Sequence, residues 1–182
     1  MKNILLLITL LALSGCGGST KQYILSTDSL IIGHKAHTRM QIGVDKIAVP
    51  GYLDENKIAV EKNPEEISYL DDVWAVPTSK ALTDTLIHTL QKKFSNPNIY
   101  LYPWGTEKES GRRIKVTINK FIYSGTNVVL ETSYFIEHIG GSGKHSYLYS
   151  TAVASKNDTT SIVHAMDLAF ARLINQISNK IN

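Results

Sequence analysis

The sequence predicts an α+β domain, a mainly antiparallel sheet with two amphipathic helices packed on one face. Three observations predict it. Leu82, Leu86, Leu90 and Phe94 recur at helical spacing, with Ile87 beside them. Ile162, Met166, Ala169, Phe170, Leu173, Ile177 and Ile181 repeat that spacing near the C-terminus. Between the two segments, β-branched and aromatic residues alternate with polar ones and are interrupted by glycine-bearing turns, the pattern of hairpin-linked strands.

The N-terminus has its own logic. Lys2 precedes an apolar run, Ile4 to Leu13, and small residues follow before Cys16. This is the order of a secretory signal. The run spans about ten residues where a bilayer-crossing helix needs about 20, so it reads as a segment to be cut. Leu13-Ser14-Gly15-Cys16 resembles the bacterial lipobox, in which the cysteine sulfur takes a diacylglyceryl group and becomes the acylated N-terminus. These covalent groups on Cys16 are the only expected non-protein component; no other cofactor and no metal is expected. Residues 1–15 are then the signal peptide, 16–22 a lipidated linker opened by Gly17 and Gly18, and 23–182 a single domain. Gly17 in place of an aspartate, which resembles an inner-membrane retention signal, makes the periplasmic face of the outer membrane the expected location.

Each element of the domain follows from its residues. Tyr23-Ile24-Leu25 is a candidate short strand. Residues 29–39 are mixed and point to no element. Gln41 to Val49 reads as a strand from Ile42, Val44, Ile47 and Val49, stopped by Pro50-Gly51. Lys57 to Val60 is another. The first helix runs from Ser79 to Phe94, and Pro97 lies beyond its end. Asn98 to Tyr102 is a short strand closed by Pro103. Ile114 to Ile118 alternates cleanly and then slips before Phe121 and Tyr123, which predicts a bulge. Asn127 to Glu137 places Val128, Leu130, Tyr134 and Ile136 on one face, and Tyr147 to Ala154 completes an antiparallel meander. Its hairpin loops are Ser124 to Asn127 and Gly140 to Gly143. The last helix spans Ser161 to Ile181, with Asp158, Thr159, Thr160 and Ser161 as candidate caps.

Composition excludes several function classes. A formal net charge of +3 over 182 residues, evenly spread, does not suit nucleic acid. Cys16 is the only cysteine, so no disulfide forms within the chain and no thiol remains for catalysis once it is acylated. Gly140 to His145 resembles a phosphate loop superficially, yet His138 stands where such a loop needs glycine, and the segment joins two strands. His34 and His37 could share a metal from one helix face, but no further ligand is placed by spacing. His138 and His145 flank the glycine loop and are expected as a cross-strand polar pair. Glu65-Glu66 and Asp71-Asp72 are expected in a solvated turn beside Asn63-Pro64 rather than as an acid and base pair. No serine lies in a nucleophile elbow. An enzyme is not expected.

One constellation says more. Pro50-Gly51-Tyr52-Leu53-Asp54 precedes the strand at Lys57, and Trp74-Ala75-Val76-Pro77 precedes the first helix. With the lipobox, Tyr23-Ile24-Leu25 and the C-terminal helix, this order resembles the ABC-type transport auxiliary lipoproteins, the PqiC- or YmbA-like family. The likeness covers essentially the whole mature chain, departing at Val76, where the family carries an acid, and at Val60-Glu61-Lys62, where relatives often carry arginine. It implies a non-catalytic lipoprotein that docks an MCE-domain periplasmic partner of an ABC-type lipid transport system, with self-association left open. Tyr52, Leu53, Asp54 and Trp74 are the partner-binding candidates; the alternative for each aromatic or apolar member is packing of turn and helix onto the sheet. Two competing functions remain: a lipoprotein that binds lipid or another ligand inside its own fold, and a structural envelope lipoprotein.

Overall fold

The computed structural model describes residues 19–27, 40–103, 111–141 and 143–181. Cys16, His34 and His37 lie outside them. In chain order come β1 (Gln22–Tyr23), β2 (Ile42–Asp45), a 3-10 turn (Gly51–Leu53), β3 (Lys57–Asn63), β4 (Glu66–Trp74), α1 (Thr78–Phe94), β5 (Ile99–Tyr102), β6 (Gly111–Ser124), β7 (Asn127–Ile139), β8 (Lys144–Ala154) and α2 (Thr159–Ser178). The class is α+β, as the residue pattern predicts.

The eight strands form one mixed sheet organised by β6. Along one side β6 pairs with β7 over its whole length, and β7 pairs with β8, both antiparallel. This is the expected meander, and the register slips between Ile118 and Lys120, where the alternation breaks. The other side of β6 is shared. Its first residues pair with β2 and its last with β3, both parallel, and Ala48 bridges to Thr117 between them. Beyond β2 lies β5, and beyond β3 lie β4 and then β1. The longest ladders are antiparallel, while β2–β5, β2–β6, β3–β6 and β1–β4 add parallel pairing.

Strands differ from expectation at β1, which ends at Tyr23 rather than Leu25, at β2, which ends at Asp45 rather than Val49, and at one strand that the residue pattern does not predict. Glu66–Trp74 is a nine-residue strand, so of the two acidic pairs only Glu65 sits in the turn; Glu66 opens β4, and Asp71 and Asp72 lie inside it. The strand is half exposed and carries Ile67 and Tyr69 on its open side, so its acids are solvated without needing a loop.

Both helices press on one face of the sheet. Leu82, Leu86, Leu90 and Phe94 of α1 and Ile162, Met166, Phe170, Leu173 and Ile177 of α2 are fully buried in a single core with Val44, Ile114, Val116, Phe121, Val128 and Leu130. Each such side chain contributes about 1.5–3 kcal/mol relative to exposure, enough for a chain without disulfides. Asp158 caps α2 by accepting from the Ser161 amide at 2.9 Å. At the end of α1, Ser95 turns left-handed (φ 47°), which lets the Asn96 amide reach the Gln91 carbonyl. Gly111 opens β6 at φ +147°, where an added Cβ would stand 2.2 Å from the Gln41 carbonyl oxygen. Only glycine permits that approach.

Candidate functional site

Besides its backbone pairing with β4, the segment that leads from residue 19 into the domain is fastened by four hydrogen bonds that involve side chains. The Lys21 amide donates to Asp72 on β4 at 2.9 Å, and the Tyr23 hydroxyl meets Thr160 on α2 at 3.1 Å. Next, the Ser26 amide donates to Asp167 on α2 at 3.0 Å, and Thr27, buried, shares a hydroxyl contact of 3.0 Å with Thr89 on α1. Burial raises Asp167 to about 7 despite the lowering effect of the Ser26 hydrogen bond. Asp72 shifts the other way, lowered first by the Lys21 amide and then by Thr159. The leader is therefore part of the fold.

The Pro50–Asp54 turn divides the four partner-binding candidates. Leu53 is fully buried and Trp74 is 2% exposed, so both side chains are packing groups of the core. The Trp74 amide donates to the Asn56 carbonyl, which joins the end of β4 to the approach to β3. Asp54 is exposed and accepts from Ser79 at 3.2 Å, placing a carboxylate beside the first turn of α1, where the helix dipole favours it. Tyr52 is half-buried. Its hydroxyl accepts the Phe121 amide at 3.3 Å, filling the gap on the edge of β6 between the Ala48 bridge and the start of β3 pairing. Burial raises its ionisation point, opposed by that hydrogen bond and by Lys120. Beside its ring, Lys120 pairs with Glu61 at 2.7 Å over an open groove of about 290 Å³ that also touches Ile67 and Glu131.

The sheet face turned away from the helices carries a second charged group. Arg113 donates to both oxygens of Asp45 at 2.8 and 2.9 Å and to Glu137 at 3.0 Å, and lies over the Tyr102 ring. The two carboxylates hold the guanidinium firmly charged. This network ties β2, β6 and β7 together across the outer face. Sequence reading missed it, although Arg113 and Lys115 alternate with Ile114 and Val116 in a way that marks the outward side.

Among the described residues, the candidates for chemistry are placed as follows. Across the hairpin His145 stands opposite Ile136 and His138 opposite Gly143, which makes the two histidines diagonal neighbours on one face rather than a register pair. Glu66 is taken up by Lys62 and Asn63. The Gly140–Gly143 loop connects β7 and β8, closed by the His138 amide donating to the Gly143 carbonyl. Among the described residues no three His, Cys, Asp or Glu side chains gather as a metal site, and no helix is long and apolar enough to cross a membrane.

Residues 25–178 match the family model described as ABC-type transport auxiliary lipoprotein component. Two solved structures share the fold. A crystal structure of an uncharacterized protein superposes with a TM-score of 0.73 at 18% identity, covering 90% of this chain and all of that one. A protein of the DUF330 family from Xanthomonas campestris gives 0.65 at 14% identity, covering 87% and 90%. No curated protein matches the chain.

Proposed function

Because the chain belongs to the ABC-type transport auxiliary lipoprotein component family, we propose that it is the membrane-held docking component of an MCE-type system moving lipid between the two membranes. The family match over residues 25–178 carries this reading, joined to the Leu13–Cys16 motif that precedes it. In this reading Cys16 is acylated and holds the domain on the periplasmic face of the outer membrane. Several acyl chains together anchor stably, where one would hold only marginally. No step of chemistry is assigned to the chain; its work is to hold a periplasm-spanning partner near the membrane.

The geometry narrows how the family-like turn would serve a partner. Leu53 and Trp74 act from inside, fixing the turn on the core, and what reaches the surface is the Asp54 carboxylate and the outer part of Tyr52. The grooves beside Tyr52 and on the outer face are open, a form suited to a protein surface more than to an enclosed acyl chain.

Crosslinking of the full chain in intact cells, followed by isolation and identification of adducts, tests the reading. An MCE-domain protein of an ABC transporter is the expected dominant partner. Recovery of envelope scaffold proteins alone would overturn it in favour of a structural role, and co-purified lipid without any protein partner would favour a carrier.

A further inference from the structure

Among the described residues β8 has a partner on one side only. Near its ends, the Ser155 amide donates to the Thr126 carbonyl and the Gly143 carbonyl accepts from His138, so the odd-numbered residues turn their backbone groups toward β7. Alternation then turns the N–H and C=O groups of Ser146, Leu148 and Ser150 to the free side. Farther along, the Ala152 carbonyl accepts from Arg172 at 3.2 Å, which closes that end. From His145 to Ala154 the strand has no Lys, Arg, Asp, Glu or Pro. Those are the residues by which proteins protect an edge, and here only Lys144, at the first position of the strand, is one of them.

The outer face beside the same edge carries an exposed apolar side chain and an open groove. Leu148 is 86% exposed at mid-strand. Next to it an open groove of about 370 Å³ runs over Phe135 and Ser133, walled by Lys115 and Thr117 of β6 and by Ser146 and Leu148 of β8. Lys144 lies 4.0 Å from the centre of the Phe135 ring, and Lys115 stands opposite Phe135 on the other strand. Neither ammonium group has an ion pair among the described residues; Glu137, the register partner of Lys144, is bound by Arg113.

We propose that the free edge of β8 and this groove together seat an extended segment of a partner protein, added to β8 as a further strand, whose side chains on the groove face are an apolar residue flanked by acidic ones. Backbone pairing at Ser146 to Ser150 would supply register, an apolar side chain would cover Leu148, a carboxylate farther along the same face would meet Lys144, and Lys115 across the Phe135 ring would add to the positive field that draws the acids in. A second copy of β8 fits less well: with no acid between His145 and Ala154 it would leave both lysines uncompensated. The proposal rests on the docking role above and names the edge and the partner chemistry that serve it.

The test uses the full acylated chain in detergent micelles with a blocked peptide, Glu-Thr-Ile-Thr-Glu-Thr, which places Glu, Ile and Glu on one face, and its lysine-for-glutamate counterpart as control. The acidic peptide should slow amide exchange at Ser146, Leu148 and Ser150 while the basic one does not. Leu148→Pro, which removes one outward N–H at a position an edge tolerates, should abolish that protection. The double variant Lys115→Glu/Lys144→Glu leaves the backbone intact and should weaken binding about tenfold, as expected for reversing two exposed charges. Equal binding of both peptides, protection elsewhere, or concentration-dependent self-association that Leu148→Pro removes would overturn the proposal. The same variants, isolated from cells, separate this seat from the docking role. Transport partner retained by both variants refutes the seat alone, whereas edge protection by the peptide with no transport partner on the wild-type chain refutes the docking role alone.

Discussion

The Ser26 amide donates to the Asp167 carboxylate at 3.0 Å, joining the leader to the C-terminal helix at a group whose ionisation point burial raises to about 7. In the unfolded chain an aspartate titrates near about 4. Between those values the folded protein binds the proton that the unfolded chain has released, so stability falls as pH rises from about 4 to about 7 and then levels. Asp167→Asn keeps an oxygen for the Ser26 amide and removes the charge. It should raise the melting temperature at pH 8 and change it little at pH 4, measured by thermal unfolding across that range.

Tyr52 supplies the acceptor for the Phe121 amide where no strand reaches. Tyr52→Phe leaves that donor unpaired and should cost about 1–2 kcal/mol in chemical denaturation. A change near zero would show that water or a neighbouring group takes over the amide.

Trp74 separates packing from partner contact. At 2% exposure, its replacement by alanine should cost about 3–5 kcal/mol. Trp74→Phe keeps most of the packing and discards an indole N–H that has no acceptor among the described residues, so its cost should be much smaller. Denaturation of the two variants side by side checks the order.

Gly111→Ala tests the crowding at the start of β6. The new methyl would sit 2.2 Å from the Gln41 carbonyl oxygen at a φ that side chains rarely adopt. The strain should cost about 1–3 kcal/mol. Amide exchange at Arg112, which donates to that carbonyl, should quicken with it.

Cys16→Ala tests the anchor apart from the fold. The variant should leave the membrane fraction and enter the soluble periplasm while keeping the wild-type melting temperature, measured after fractionation. Retention on the membrane without the thiol would remove acylation from the proposed function.

Helices, meander and bulge were legible because each rests on local period: the leucine stripe of α1, the alternation of β7, the slip before Phe121. β4 was not, since its acids at Glu66, Asp71 and Asp72 resemble a turn until β1 and β3 flank the strand. Of the family-like residues, Tyr52 and Trp74 were visible as a pattern, but burial is a property of three dimensions. Only the fold distinguishes Leu53 and Trp74, sealed in the core, from Asp54 at the surface. The Asp45–Arg113–Glu137 network and the Ser26–Asp167 contact join residues far apart in the chain, with no spacing to announce them.

The fastening of the leader also sets a length and a mechanical character. Four residues separate Cys16 from Lys21. At about 3.3–3.6 Å per residue, an acylated Cys16 would keep the Lys21 end of the domain within roughly 18 Å of the bilayer. A pull along that short tether would reach β4 through Asp72, then α2 through Thr160 and Asp167, and then α1 through Thr89. The first of these contacts to bear such a pull is Lys21–Asp72, and each later one would carry load only as the one before it gives way.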